Sequence, residues 1–392
     1  MEEGRERRGR GLKKTAQLAV PHLPLSQGLG DGGGRACMVH DESLREGGYR
    51  KTKRKEEKPV ARKLVVGIDV GKERYAVSLF DGERFRDFSV PSSPEELLRR
   101  ITPYLPGKTR SVLFVMEATG VYHLKLALFL KERGYPVSVV NPFVVKKYAE
   151  MLQKKAKTDP VDARILAQFG FFASPPPFVP KDEKAYLLEE IQKTIEDYQK
   201  RRTEILNHLE ALRHRPFYHP KLQKLYEEEL QRIEKTLKDL EKEAENLAME
   251  YAPREYELLQ TIPGVGKRLA GAILGILSPL TRFESSKELS SFLGLAPQID
   301  QSGKRKERAW LSKRGNPLLR KLLYLASLSA SRFNRQCKLL YERLVTQGKP
   351  KKVALIAVAN KLLKQIFAIL RSGIPYDPYY LEKKRNVVTQ GA

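Results

Sequence analysis

The fold is decided by the stretch LVVGIDVG at residues 64–71, a continuous apolar run that holds one carboxylate, Asp69. A run of this length, rich in β-branched residues and closed by glycine, predicts a strand that is buried on both faces of a sheet. An unpaired carboxylate in a buried strand costs a large free energy, so such a group changes its pKa, forms an ion pair or holds a metal ion. Asp69 is therefore the first candidate functional residue.

Strands and helices alternate in the sequence that follows. Asp81-Gly82 lies between two strand-like runs and is typical of a hairpin turn. Three antiparallel strands followed by alternating helix and strand are the order of a ribonuclease-H-like α/β domain, an analogy that concerns the fold and not the function. The predicted strands lie over 74–81, 84–90, 111–116 and 136–140, and helices follow Ser93, Gly120 and Asn141.

The composition changes several times along the chain. Residues 1–60 are rich in Gly, Arg and Lys and have too few apolar residues to offset the entropy of ordering, so we expect disorder, and Met38 is an alternative start. Two long charged runs with apolar residues at helical spacing predict a hairpin that packs on itself or forms a coiled coil with another copy. The predicted domains are a disordered basic extension (1–60), an α/β catalytic domain (61–175), a helical hairpin (180–253), a mainly α C-terminal domain (254–373) and a tail (374–392).

The net charge points to a polyanionic partner. The 392 residues include 73 Lys and Arg against 47 Asp and Glu, a formal charge of +26, and the basic residues recur in every segment. Nucleic acid is the commonest polyanion, although basic tails or a solubility charge are the plainer explanation. The two cysteines provide neither a disulfide framework nor a zinc site, and no apolar run suggests a membrane span or a secretion signal. We therefore expect a cytoplasmic protein.

Four carboxylates lie at the ends of predicted elements: Asp69, Glu117, Asp159 and Asp162. Carboxylate oxygens at strand ends are ligands that Mg²⁺ prefers, and two such ions can clamp the attacking and leaving oxygens of a phosphodiester. Without a cation, close carboxylates repel by roughly 4 kcal/mol per pair at an effective dielectric of about 20. The acids therefore predict a Mg²⁺ site, with one or two ions. The alternative is that single acids are helix caps or surface acids, which suits Asp159 but is the weaker explanation for Asp69 and Glu117.

The C-terminal half contains a Pro-Gly turn with the pattern of a helix-hairpin-helix motif, IPGVGK at residues 262–267. Gly264 and Gly266 would let backbone N–H groups approach a phosphate at a helix N-terminus, with Lys267 beside them. An ordinary turn has the same composition, so the motif is moderate support for nucleic-acid binding.

A second basic region begins at Ser302. A serine among cations is a possible nucleophile, because positive charge stabilises an alkoxide and its phosphorylated product. From the residues alone, a turn serine beside a phosphate-binding loop is the better explanation. The cations predicted to contact nucleic acid here are Lys304, Arg305, Lys306, Lys313 and Arg314.

Together these motifs resemble the DEDD-type insertion-sequence transposases, the bridge-RNA-guided recombinases of prokaryotic mobile elements. The resemblance covers about residues 64–373, and residues 1–60 have no counterpart in it. The stretches that carry it are GIDVGK (67–72), MEATGVY (116–122), KTDPVDARILA (157–167), IPGVGKRLA (262–270) and SGK…LSKRGNPLLRKLL (302–323).

The resemblance implies a RuvC-like N-terminal domain, a coiled-coil linker and a C-terminal transposase domain. It implies that Asp69, Glu117, Asp159 and Asp162 bind metal and that Ser302 forms a covalent link to a DNA phosphate, which reverses the interpretation of that serine. It also implies a composite site in a dimer or tetramer, a guide RNA that pairs with element ends and target DNA, and a location at the nucleoid.

Three other functions share some of these features. A metal-dependent, junction-resolvase-like nuclease would use the four acids with water as the nucleophile. A sugar-kinase or actin-like ATPase shares Gly-Ile-Asp-x-Gly, but a second Gly-rich phosphate loop is missing and the charge of +26 is unfavourable. A non-catalytic nucleic-acid scaffold would have no need of the four acids.

Overall fold

The computed structural model describes residues 64–107, 109–118, 120–153, 159–295, 297–300, 308–311 and 315–380. For residues 159, 297–300 and 308–311 the description is limited to the backbone. The predicted disorder of residues 1–60, the alternative start at Met38 and the end of the tail lie outside the described residues.

A five-stranded mixed sheet forms the first part of the described chain, in the order β3-β2-β1-β4-β5. β1 and β2 are antiparallel, as are β2 and β3, whereas β4 is parallel to both β1 and β5. This topology is that of the ribonuclease-H-like α/β domain that the sequence predicts. Its elements are β1 (Leu64–Val70), β2 (Arg74–Phe80), β3 (Phe85–Pro91), α1 (Pro94–Ile101), β4 (Val112–Glu117), α2 (Tyr122–Glu132), β5 (Val137–Val140), α3 (Pro142–Met151) and α4 (Asp159–Ala173).

Helices cover both faces of the sheet, as the apolar character of β1 requires. Val66 and Ile68 are fully buried in a cluster with residues of α1 and α2. Val65 points to the opposite face and is buried with residues of α3 and α4. Because side chains alternate along a strand, Gly67 and Asp69 lie on the same face as Val65, toward α4.

Helix α4 lies almost in backbone contact with the sheet. A Cβ added to Gly67 would lie 2.2 Å from the carbonyl oxygen of Ala163 and 2.3 Å from the backbone nitrogen of Ala167. A Cβ on Gly170, in α4 itself, would lie 2.5 Å from Val115 Cγ2 and 2.7 Å from Val65 Cγ1. Glycine at these positions therefore fixes how closely α4 approaches β1 and β4.

The rest of the described chain is mainly helical and begins with two long antiparallel helices. Asp182 caps the first helix and His219 caps the second, each through its side chain. These helices and those after them share one hydrophobic core. The elements are α5 (Glu183–Arg213), α6 (Pro220–Tyr251), α7 (Pro253–Gln260), α8 (Lys267–Leu277), α9 (Ser286–Phe292), β6 (Pro297–Asp300), β7 (Arg308–Leu311), α10 (Pro317–Phe333), α11 (Arg335–Thr346) and α12 (Lys351–Ser372).

Some of these elements were not expected from the sequence. β6 and β7 form a small antiparallel sheet inside a segment that the sequence predicts to be helical or irregular. Each strand has only four residues, too few to show the alternation of apolar and polar residues that predicts a strand. α11 follows α10 after the single residue Asn334, which ends one helix and caps the next. Cys337 is its one fully buried residue, so α11 has a weak apolar stripe in the sequence.

The segment between the sheet and α5 is hydrogen-bonded at both ends. Phe178 N donates to Val137 O of β5 over 2.7 Å, and Ser138 Oγ donates to Pro175 O over 3.2 Å. At the other end, Lys181 Nζ pairs with Glu189 and donates to the carbonyls of Gly275 (2.9 Å) and Ile276 (3.1 Å), at the C-terminus of α8. The Pro-rich break that the sequence predicts is therefore an anchored connection.

One helix in the described part of the chain, α12, is long and apolar enough to cross a membrane. Such a helix was not predicted from the sequence. In this fold, 56% of its most apolar window is buried. Its fully buried residues include Val358, Leu362 and Leu363, which belong to the core shared with α7 and α10. Its apolar character is therefore explained by a core position.

We expect Gly67→Ala to lower the free energy of unfolding by about 3 kcal/mol or more. The added methyl group would collide with backbone atoms of α4, which cannot move aside as the end of a flexible side chain could. The measurement is urea unfolding followed by circular dichroism. Gly107→Ala is the matched control, since a Cβ there meets no atom within 4 Å. Equal stability of the two variants would contradict the close approach of α4.

Candidate functional site

Two of the predicted acids end neighbouring parallel strands. The register pairs Ile68 of β1 with Met116 of β4, so Asp69 and Glu117 occupy the next position on each strand. Both are half-buried, and both lie on the face covered by α4, since Glu117 alternates with Leu113 and Val115 of that buried face. Neighbouring strands lie about 4.8 Å apart, which brings the two carboxylates to one edge of the sheet.

A third acid approaches the same edge from above the sheet. Asp162 is half-buried in the first turn of α4, directly before Ala163, whose carbonyl oxygen touches Gly67. Asp159 begins the helix, and its side chain lies outside the described part of the chain. The close contact at Gly67 therefore brings the first turn of α4 to the carboxyl ends of β1 and β4.

A cleft of about 500 Å³ opens beside this edge. Asp69 and Pro160 of α4 both line it, which confirms that the strand end and the helix start face one space. On the far wall, Arg74 Nε donates to Ser89 Oγ over 2.9 Å. The other lining residues are Gly71, Ala76, Asp87 and Phe88.

The donor set suits a hard divalent cation in ligand type and in backbone placement. Within the described residues, no three Asp, Glu, His or Cys side chains close into a metal-binding group. Asp69, Glu117 and Asp162 each already interact with a neighbouring group. A chelate built from Asp69, Glu117 and Asp162 would therefore require these side chains to rearrange.

A pair of residues that no sequence pattern predicts, Asp87 and Arg164, holds α4 in place. Asp87 of β3 accepts a hydrogen bond from Arg164 Nε over 2.8 Å and another from Ser78 Oγ over 2.8 Å. Burial alone would raise the pKa of Asp87, but the hydrogen bonds from Arg164 and Ser78 outweigh it and hold that pKa below its ordinary value. Arg164 also lies over the ring of Phe85, 5.5 Å from its centroid. The helix start is thus fastened to the sheet beside the acids.

The predicted helix-hairpin-helix turn lies between α7 and α8. Gly264 has φ +103, and a Cβ there would lie 2.8 Å from Ala330 Cβ of α10, so the turn is packed against the core. Gly266 is the residue before α8, and a Cβ there meets no atom within 4 Å. Lys267 is largely exposed, and its ammonium lies 2.5 Å from Glu245 Oε1 of α6. A phosphate bound here would therefore compete with Glu245, and the predicted contact stays a prediction.

The predicted nucleophile and its basic surroundings lie outside the described residues. Ser302, Lys304, Arg305 and Lys306 fall in the connection between β6 and β7, and Lys313 and Arg314 precede α10. The end of this region is fixed, because Gly315 has φ +96 and a Cβ there would lie 2.3 Å from Phe292 O.

The described cysteine, Cys337, is unsuited to nucleophilic chemistry. It is fully buried, and burial raises the pKa of its thiol to about 12. At neutral pH it is therefore a neutral core residue.

Two family models match the chain and between them cover more than half of it. A transposase model of the DEDD type found in the IS110 group matches residues 66–215. A second model, described as Transposase IS116/IS110/IS902 family, matches residues 256–342. The first match contains all four predicted acids, and the second contains Ser302.

Curated relatives align over most of the chain. The pilin gene-inverting protein of Moraxella lacunata is 27% identical over 323 residues, covering 80% of this chain and 98% of that protein. The transposase for insertion sequence element IS1111A of Coxiella burnetii is 27% identical over 287 residues, covering 65% of this chain and 77% of that protein. Among solved structures, Thermus thermophilus RuvC in complex with a Holliday junction substrate aligns with 18% identity and a TM-score of 0.22, covering 29% of this chain and 99% of that one.

We expect a coupling free energy of about 1 kcal/mol between Asp87 and Arg164, because two nitrogens of Arg164 donate to one carboxylate oxygen of Asp87 and the pair is partly shielded from water. The measurement is a double-mutant cycle of Asp87→Asn and Arg164→Gln in urea unfolding. Glu96 and Arg99, a more exposed ion pair within α1, form the control cycle, with an expected coupling below about 0.5 kcal/mol. Equal couplings would show that the Asp87–Arg164 pair does not fasten α4.

Proposed function

This chain belongs to the IS116/IS110/IS902 family of insertion-element transposases, and from that premise we propose how it cuts and rejoins DNA. The chain is a DNA transposase or recombinase, an activity class that includes its DNA-inverting relatives.

One observation carries the proposal: the approach of Asp69, Glu117 and the first turn of α4 to a single edge of the sheet. Asp69, Glu117, Asp159 and Asp162 would hold the divalent metal ions, and oxygen ligands favour Mg²⁺. When bound, such ions neutralise charge on the phosphate and lower the pKa of a coordinated hydroxyl. The acids themselves bind and orient, while the Asp87–Arg164 pair keeps α4 in position.

Ser302 is the proposed nucleophile. Its Oγ attacks a DNA phosphorus and loses its proton, the bond from phosphorus to one DNA oxygen breaks, and that oxygen leaves as a free hydroxyl. A DNA hydroxyl from the recombining strand then attacks the phosphoserine and releases the serine. One P–O bond forms for each that breaks, so rejoining needs no ATP. Support comes from the second family match, which contains this serine.

The partners follow from the charge and from the family. With a net charge of +26, the chain is suited to holding duplexes by their phosphates, while base pairing with an element-encoded RNA would supply sequence choice. The acids of one copy and the serine of another would form a composite site in a dimer or tetramer. We place the protein in the prokaryotic cytoplasm, at the nucleoid.

Ser302→Ala is expected to abolish the covalent protein–DNA adduct, because the attacking oxygen is gone. The assay traps the full-length protein on end-labelled element DNA and resolves adducts on denaturing gels. Ser312→Ala, in the same basic region, is the control and should retain the adduct. Adduct formation by Ser302→Ala would refute the assignment of Ser302 as the nucleophile. Free cut ends without any adduct in the unmodified protein would favour a hydrolytic, resolvase-like nuclease instead.

Asp69→Asn is expected to reduce strand exchange by at least about a hundredfold, since it removes a charged metal ligand while preserving shape. Binding of RNA should stay unchanged, because the acids do not contribute to phosphate attraction. Asp239→Asn, an exposed acid on α6, serves as the control. Normal exchange by Asp69→Asn would refute the metal-binding role of Asp69.

A further inference from the structure

The end of the long hairpin exposes aromatic side chains to solvent. Residues 213–220, from the last residue of α5 to the first residue of α6, are all exposed, and Phe217 is 90% and Tyr218 43% accessible. Single exposed apolar residues are ordinary, but here two adjacent aromatic rings stand near Leu222 and Leu225, which are also exposed. We call residues 211–226 the hairpin tip.

The hairpin tip also carries a charge opposite to that of the rest of the hairpin. It contains four basic residues, Arg213, Arg215, Lys221 and Lys224, and no acidic residue. The remaining parts of the two helices, 183–210 and 227–251, contain sixteen acidic residues against nine basic ones. A phosphate approaching the hairpin is therefore repelled along its length and attracted at its end.

The tip extends away from the contacts that hold the hairpin to the C-terminal helices. Arg268 of α8 bonds to Glu196 and Gln199 of α5. Arg213, at the end of α5, lies 14 residues farther along, which is about 21 Å of helix. The two helices contact each other just before the tip, where the rings of His208 and Tyr226 stack across the hairpin with centroids 5.2 Å apart and planes 6° apart. The tip is thus a preformed surface at the end of a projecting arm.

We propose that the hairpin tip binds nucleic acid with unpaired bases, which stack on Phe217 and Tyr218 while Arg213 and Arg215 pair with the backbone phosphates. Stacking requires a free base face, and a single strand, loop or opened duplex offers one, whereas a closed duplex does not. The inference rests on the proposed function, which supplies an RNA and transiently opened DNA.

Charge favours nucleic acid over a second copy of the chain as the occupant. An aromatic tip without cations would suit an apolar protein surface, but four cations suit a polyanion, although Lys224 lies 4.0 Å from Glu228, an acid just beyond the tip. A second copy has an acidic hairpin of its own, so docking between copies is an outcome that the experiment must separate.

The test uses the full-length protein and short fluorescent oligonucleotides: single-stranded RNA, single-stranded DNA of the same sequence, and the matching duplex DNA. The double variant Phe217→Ala/Tyr218→Ala should bind a single strand at least about tenfold more weakly, while duplex binding changes less than about twofold. The salt dependence of its binding should be unchanged. Weaker binding of the single-stranded RNA alone, or of the single-stranded DNA alone, would support the contact and identify which nucleic acid the tip binds.

A charge variant supplies the second measurement. Arg213→Gln/Arg215→Gln should reduce the steepness of log affinity against log salt concentration by about 1.4 on a single strand. Each lost phosphate contact contributes about 0.7, and the variant removes two. Phe333→Ala, which removes another ring that is 73% exposed, is the matched control and should bind as the unmodified protein does.

Three results would overturn the inference: unchanged single-strand binding, equal loss on duplex, or a change in sedimentation of the aromatic variant without a change in binding, which would assign the tip to a second copy. The adduct assay is independent of this one. Adduct formation with unaltered single-strand binding by the aromatic variant would refute the tip and leave the proposed function standing. Absence of adduct in the unmodified protein would refute the proposed chemistry whatever the tip binds.

Discussion

The close approach of α4 to β1 at Gly67 is the constraint on which the proposed catalytic edge depends. Asp69 and Glu117 are placed by strand register alone, but the first turn of α4, which carries Asp162, comes to their edge only because a helix backbone lies against a strand backbone. Any side chain larger than hydrogen at position 67 would push that helix outward. Nearer the C-terminus of α4, Gly170 allows the helix to pack directly against the side chains of Val65 and Val115.

The same device recurs in the second half of the molecule. A Cβ on Gly275 of α8 would lie 2.8 Å from the backbone nitrogen of Glu189 in α5, so these helices also touch at a glycine. Glu189 pairs with Lys181 and Lys193 at this crossing. Burial alone would raise the pKa of Glu189, but its two lysine partners lower it below its ordinary value. Close backbone contacts at glycine thus set the distance between neighbouring elements, and ion pairs beside these contacts fix the orientation of the elements.

The sequence predicted what depends on local pattern. Apolar runs closed by glycine or by a carboxylate predicted β1 and β4, and the register of these strands brings Asp69 and Glu117 to one edge of the sheet. The Asp87–Arg164 pair could not be predicted, because its members are 77 residues apart and neither belongs to a periodic pattern. The role of Gly67 was hidden as well, since a glycine in a buried strand does not reveal which element lies against it. Ser302 and the side chain of Asp159 lie outside the described part of the chain, so their roles remain proposals.

The connection between the sheet and the hairpin has a mechanical consequence. Phe178 is bonded to Val137 of β5, and Lys181 is bonded to the end of α8, so only two residues of chain separate the two attachments. β5 lies beside β4, the strand that ends in Glu117. A displacement of α8 relative to the sheet would therefore act first on β5, because two residues cannot absorb a large change in distance.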